Sequence, residues 1–212
     1  MKFSRRHFVG AVFGAAVAAA MPVSAQTLGQ DYTLVSPTQP TDNPAKIEVI
    51  EFFSYGCPHC NDFFPFISAW AAKLPGDVVV KKVPITFGRA AWANIARLYY
   101  TLELTGDLAR LDGAVFKAIH QDRANLFDES GIKDWVVSKG VNATKFSDDF
   151  KSFGVMSHVR RGDQLAQAYR IQGVPAIAID GKYLVGGHDF NETLAIADKL
   201  IAKVRAEKAG KK

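Results

Sequence analysis

Two residues of this chain can do chemistry that no other pair in it can. Cys57 and Cys60 are the only cysteines among 212 residues, and they stand three positions apart in Cys57-Pro58-His59-Cys60. Two thiols at that spacing can form and open a disulfide. The loop so closed is too short to restrain much of the unfolded chain. At 48% hydrophobic residues, the protein can fill a core without such a staple. The pair therefore points to exchange chemistry. A structural disulfide is the plain alternative, and zinc is another, since Cys57, His59 and Cys60 could all be ligands. Structural zinc usually takes four ligands in paired clusters. No second cysteine pair exists, and His120, His158 and His188 are scattered, so no metal is expected.

The elements around the pair decide its reactivity. Residues 47–53, Ile-Glu-Val-Ile-Glu-Phe-Phe, form a short and nearly apolar run bounded by Pro44 and Gly56, which reads as a strand buried on both faces. After the cysteines, Phe63, Phe64, Ile67, Trp70 and Ala71 recur at helical spacing until Leu74-Pro75-Gly76 stops the helix. Strand, turn, C-x-x-C and helix put Cys57 at a helix N-terminus, where free N–H groups and the helix dipole favour a thiolate. Pro58 suits the first turn because it has no N–H to lose. His59 adds a donor, or a positive charge when protonated. A thiolate stabilised there makes Cys57 the expected exposed sulfur and a good leaving group. Cys60, one turn on, is expected to be buried and to resolve a mixed disulfide, a fast intramolecular step.

The rest of the chain supplies a scaffold. A possible short strand covers residues 32–35, and residues 78–83 read as a strand parallel to the first, joined to it by the crossover helix. From Arg89 to about Arg170 the period becomes helical, with about five segments. Their apolar faces include Trp92, Tyr99, Leu111, Phe116, Trp135 and Phe150. The aromatic residues Trp92, Tyr99 and Phe116 read as core rather than substrate site. Strands return at residues 176–179 and 182–185 around Asp180-Gly181, a strong hairpin signal. A final helix follows, with Asn191 as its candidate cap. The order is β-α-β, a helical block, then β-β-α: an α/β fold in which one sheet domain is interrupted by a helical insertion.

Residues 1–25 look like a secretory signal. Lys2, Arg5 and Arg6 precede an apolar run, and small residues lead to a candidate cleavage site after Ala25. The run is too short to span a bilayer as a stable helix. Residues 4–9, Ser-Arg-Arg-His-Phe-Val, also resemble a twin-arginine export signal, and either route leads out of the cytoplasm. Removing Lys2, Arg5 and Arg6 from the 26 basic residues leaves 23 against 21 acidic, a net charge of +2. No single-sign field points to nucleic acid. The basic residues 203–212 read as a frayed end.

At Cys57-Pro58-His59-Cys60 the sequence resembles the DsbA family of periplasmic thiol:disulfide interchange proteins. The likeness extends to Glu51-Phe52-Phe53-Ser54, the helical insertion, Gly173-Val174-Pro175 and the hairpin after it. It implies a thioredoxin-like fold with an inserted all-helical domain. The parts are residues 1–25 signal peptide, 26–88 first part of the thioredoxin-like domain, 89–158 insertion and 159–212 second part.

The resemblance also implies that Pro175 is cis beside the cysteines. Proline offers no N–H and holds Val174 extended, so the Val174 backbone could pair with an extended substrate segment. Glu51 matches the acidic residue that moves protons to and from the inner cysteine, with Lys82 as a candidate partner. If buried, its pKa would be raised; a solvated strand end is the alternative. Gly56, before Cys57, is expected to leave an open approach to the sulfur. The implied activity is that of a monomeric periplasmic dithiol oxidase. It needs no cofactor beyond the cysteine pair, acts on reduced unfolded secreted proteins, and is reoxidised by a DsbB-type inner-membrane partner. A disulfide isomerase or reductase, or a non-redox binding protein, are the competing functions.

Overall fold

The computed structural model describes residues 27–210; the expected signal peptide lies outside them. Strand β1 is Tyr32–Leu34, β2 Ile47–Phe53, β3 Val78–Pro84, β4 Ala176–Ile179 and β5 Tyr183–Val185. They form one sheet in the order β1-β5-β4-β2-β3. Strands β2 and β3 run parallel, while β4 lies antiparallel to both β2 and β5. All seven residues of β2 are buried, as suits a central strand covered on both faces.

Helix α1, Pro58–Ala71, is the crossover between β2 and β3, and helix α7, Phe190–Ala209, packs beside it. Beneath them Val49, Phe63, Ile67, Ile177, Leu194 and Leu200 share one core. On the opposite face Ile50, Phe52, Val83, Ala166 and Tyr169 form another. Alternation along β2 explains this, because Val49 and Ile50 point to opposite sides of the sheet.

The helical block lies between β3 and β4 as α2 (Ala90–Thr105), α3 (Leu108–His120), α4 (Glu129–Ser138), α5 (Ala143–Phe150) and α6 (Phe153–Ala168). Its core is continuous with the C-x-x-C segment: Phe53, Tyr55, Cys57 and Cys60 pack in one cluster with Ile95, Tyr99, Leu111, Phe116 and Phe150. Tyr99 and Phe116 are thus core residues. The expected boundary at residues 158 and 159 falls within α6, which packs on both α2 and β3. Gly162 allows this approach, since a Cβ there would stand 2.9 Å from the Pro84 carbonyl oxygen. Asp163 then ties the segment after β3 to α6, accepting from the Thr86 N–H at 2.8 Å and its hydroxyl at 2.7 Å.

Three local details differ from the sequence reading. The cap of α7 is Asp189, whose side chain accepts from the Glu192 N–H at 2.9 Å, and not Asn191, which lies inside the first turn. Residues 203–209 belong to α7 rather than fraying, because Lys208 reaches Asp180 at 2.9 Å and Lys203 reaches Glu207 at 3.7 Å. The hairpin strand begins at Tyr183, not Lys182: Asp180 and Gly181 both take positive φ, at 50° and 69°, and the Lys182 N–H closes the turn on Ile179.

Candidate active site

Strand β2 ends at Phe53, and Ser54-Tyr55-Gly56 turns the chain so that Cys57 is the N-cap of α1, with Pro58 in the first helical position. Both cysteines are free thiols. Cys57 is 7% exposed and Cys60 is fully buried, so the outer sulfur is far less open than the sequence suggests. The helical insertion produces this, with Ile95 and Leu126 in the same cluster. Pro58 and His59 are exposed.

The two thiols differ chemically. The Cys57 pKa falls to about 6: the neighbouring Cys60 thiol is the largest cause, burial opposes it, and the backbone N–H groups of Cys60 and His59 and the His59 charge add to the fall. Burial pushes the Cys60 thiol far above the ordinary range, reinforced by Cys57 and Glu51. At neutral pH Cys57 is a thiolate and Cys60 a protonated thiol.

Val174 and Pro175 come from the loop before β4, 117 residues further along the chain, and face the cysteines. The Val174–Pro175 peptide bond is cis. As a thiol, Cys57 donates to the Val174 carbonyl at 3.4 Å. A groove of about 490 Å³ runs alongside, lined by His59, Phe63, Val174, Pro175, Leu184 and Phe190 among others.

Glu51 sits in the middle of the sheet and is 1% exposed, which removes the solvated strand end as a description. Burial raises its carboxyl to about 7; the Lys82 charge lowers it and Asp112 raises it further. Its Oε1 has no hydrogen-bond partner. Lys82 is its register neighbour on β3, yet the ammonium pairs with Asp112 Oδ2 at 2.6 Å. The Tyr55 hydroxyl donates to Asp112 Oδ1 at 2.5 Å. His120, at the end of the same helix as Asp112, also holds the turn, with Nε2 2.7 Å from the Tyr55 carbonyl oxygen.

Asp112, Tyr55 and His120 escaped the sequence reading of the site. A signal for Asp112 was present: it stands one helical turn from both Leu108 and Phe116, on the apolar face of α3. A carboxylate there needs a buried partner.

Gly56 corrects another expectation. A Cβ at this position would meet Trp92 Nε1 at 2.9 Å, Ile95 Cδ1 at 3.1 Å and Phe127 Cε1 at 3.1 Å. The missing side chain makes room for the insertion to close over the turn, and does not open a path to the sulfur.

A sheet of this topology, with a C-x-x-C at the N-terminus of its first long helix and a cis-proline loop against the outer sulfur, defines the thioredoxin-fold thiol–disulfide exchange proteins. Residues 48–197 match the model of the DSBA-like thioredoxin domain family. The chain is 42% identical over 180 residues to the thiol:disulfide interchange protein DsbA of Bordetella parapertussis, covering 83% of this chain and 85% of the relative. It is 39% identical over 185 residues to that of Pseudomonas aeruginosa, covering 85% and 86%. The crystal structure of Pseudomonas aeruginosa DsbA superposes with a TM-score of 0.82 at 38% identity, over 88% of this chain and 97% of that one. The oxidoreductase DsbA from Xylella fastidiosa gives 0.81 at 32%, over 85% and 98%. The chain belongs to the DsbA family and is a thiol–disulfide oxidoreductase whose redox group is a cysteine pair. Among the described residues no helix is long and apolar enough to cross a membrane.

Proposed function

We propose that the protein is a periplasmic dithiol oxidase that gives its Cys57–Cys60 disulfide to reduced, unfolded proteins newly exported from the cytoplasm. The observation that supports this direction most is the asymmetry of the two sulfurs: a thiolate-stabilising helix N-cap for Cys57 against full burial for Cys60.

A substrate thiolate attacks Cys57 Sγ and breaks the disulfide, and the electron pair leaves on Cys60, which takes up a proton. A second substrate thiolate then attacks the substrate sulfur of the mixed disulfide. The substrate disulfide forms and Cys57 departs as a thiolate. Pro58 starts the helix that stabilises this anion, and His59 adds charge beside it. Glu51 exchanges the proton of Cys60. An extended substrate segment pairs with the backbone at Val174, against Pro175, and lays its side chains in the groove.

The thiolate sets the direction. Against an ordinary thiol of 9.0, a value of about 6 favours the reduced protein. This benefit is complete above pH 9 and is lost as the pH falls through about 6. At pH 7 it amounts to about 1.4 kcal/mol, or about 30 mV in a two-electron couple. The disulfide is destabilised by the same amount and passes on more readily.

Reoxidation falls to a quinone-linked inner-membrane protein of the DsbB type, and the protein acts as a monomer; the likeness to the family supports both parts of this reading. Cys60→Ser tests the division of labour. Expressed with its exported substrates under oxidising conditions, it accumulates mixed disulfides through Cys57, whereas Cys57→Ser accumulates none. A Cys60→Ser protein that carries no bound partner would refute the assignment.

A further inference from the structure

We propose that Asp112 is a positioning residue for proton transfer at the inner sulfur: by holding the Lys82 ammonium, it leaves Glu51 without a counter-ion and free to carry the proton of Cys60. The inference rests on the proton role proposed above for Glu51.

The geometry of three side chains carries it. Glu51 and Lys82 are opposed in the parallel β2–β3 pair, so Glu51 is the acid nearest in the sheet. The ammonium nevertheless goes to α3, where Asp112 Oδ2 receives it at 2.6 Å. The other oxygen of Asp112 is occupied by the Tyr55 hydroxyl at 2.5 Å, which fixes the carboxylate in place. Aromatic faces complete the seat, with Lys82 Nζ 4.4 Å from the Phe53 ring centroid and 4.9 Å from that of Phe64. Glu51 Oε1 is left buried without a partner.

The groups acting on Glu51 are Lys82 from β3 and Asp112 from α3, and Glu51 acts in turn on Cys60 from α1, Tyr55 from the turn and Tyr99 from α2. Lys82 is the one cation among them. Whichever carboxylate holds it decides whether Glu51 is an acid or an anion at neutral pH.

The proton balance follows. When the Cys57–Cys60 bond breaks, Cys60 departs with the electron pair into a fully buried place. A neutral Glu51 supplies its proton and becomes a carboxylate. Water then restores the proton from the side of Lys82, which with Tyr99 lines a separate surface cavity of about 740 Å³. If Lys82 paired with Glu51, the carboxyl would already be ionised and would have no proton to give.

The test is a titration of the Glu51 carboxyl carbon by NMR, in the reduced protein with 13C-labelled glutamate, assigned by Glu51→Gln. The wild-type midpoint is about 7. Asp112→Asn keeps the size and an acceptor for Tyr55, but releases the ammonium to Glu51. Its midpoint falls by roughly 1 pH unit or more, and Asp112→Glu returns it toward wild type. An unchanged or higher midpoint in Asp112→Asn overturns the proposal.

Should that variant not fold, Asp112→Asn with Lys82→Met removes both charges together. Its midpoint then stays at or above wild type. A fall in the double variant would mean that the direct repulsion from Asp112, rather than the Lys82 ammonium it holds, governs Glu51, and would equally overturn the proposal. The midpoint is read without turnover, so it stands or falls apart from the direction of electron flow, which the reduction potential reports.

Discussion

Replacing Cys60 with alanine separates the causes of the Cys57 thiolate. The Cys60 thiol is the largest of them, ahead of the backbone N–H groups and the His59 charge. A hydrogen bond to a charged group contributes about 1.5–3 kcal/mol. At about 1.36 kcal/mol per unit, its loss raises the titration midpoint of Cys57 by roughly 1–2 pH units. The assay is the thiolate absorbance near 240 nm followed from acid to alkali, with Cys57→Ser as the blank. His59→Ala, which removes the last-ranked cause, shifts the midpoint less. The double variant shifts it further than either change alone. A Cys60→Ala midpoint still at about 6 would refute the reasoning, because the helix N-terminus and His59 would then suffice alone.

Other expectations follow from the same geometry. Gly56→Ala forces Trp92, Ile95 and Phe127 to shift and lowers stability by roughly 1–3 kcal/mol in a denaturant titration; no measurable loss would mean the insertion closes over the turn more loosely than described. Asp128→Ala removes the acceptor for the Gly131 N–H at 2.8 Å, which caps α4, and costs about 1 kcal/mol. The reduction potential falls by roughly 59 mV per pH unit below about pH 6 and by roughly 30 mV above it, because the reduced pair then holds one proton instead of two. A single slope across the range would remove the Cys57 thiolate from the account.

Much of this architecture was legible because it rests on local signals. The nearly apolar run at Ile47–Phe53, the helical spacing after Cys60 and the Asp180-Gly181 turn each report on a few neighbouring residues. The five helices of the insertion announce themselves in the same way. What escaped the reading depends on contacts across the fold. Gly56 looks like an opening until Trp92 and Phe127, from two other elements, are placed against it. Lys82 looks like the partner of Glu51 because register puts them side by side, and only the docking of α3 brings Asp112 to compete for it. The burial of Cys57 likewise belongs to the insertion, whose fit over the turn no periodicity describes. Asp189 took the cap expected of Asn191 for a local reason: the helix begins two residues earlier, and Asp189 reaches the Glu192 N–H.

The equilibrium reduction potential of the Cys57–Cys60 pair tests the central claim most directly. The protein lacking residues 1–25 is equilibrated in glutathione buffers of graded composition, and the fraction reduced is read by alkylation. The account predicts that the pair stays largely reduced even where glutathione is mostly oxidised, which is the behaviour of an unstable disulfide and an oxidant. A pair as hard to reduce as a thioredoxin's would contradict it, and would make this fold and this site those of a reductase.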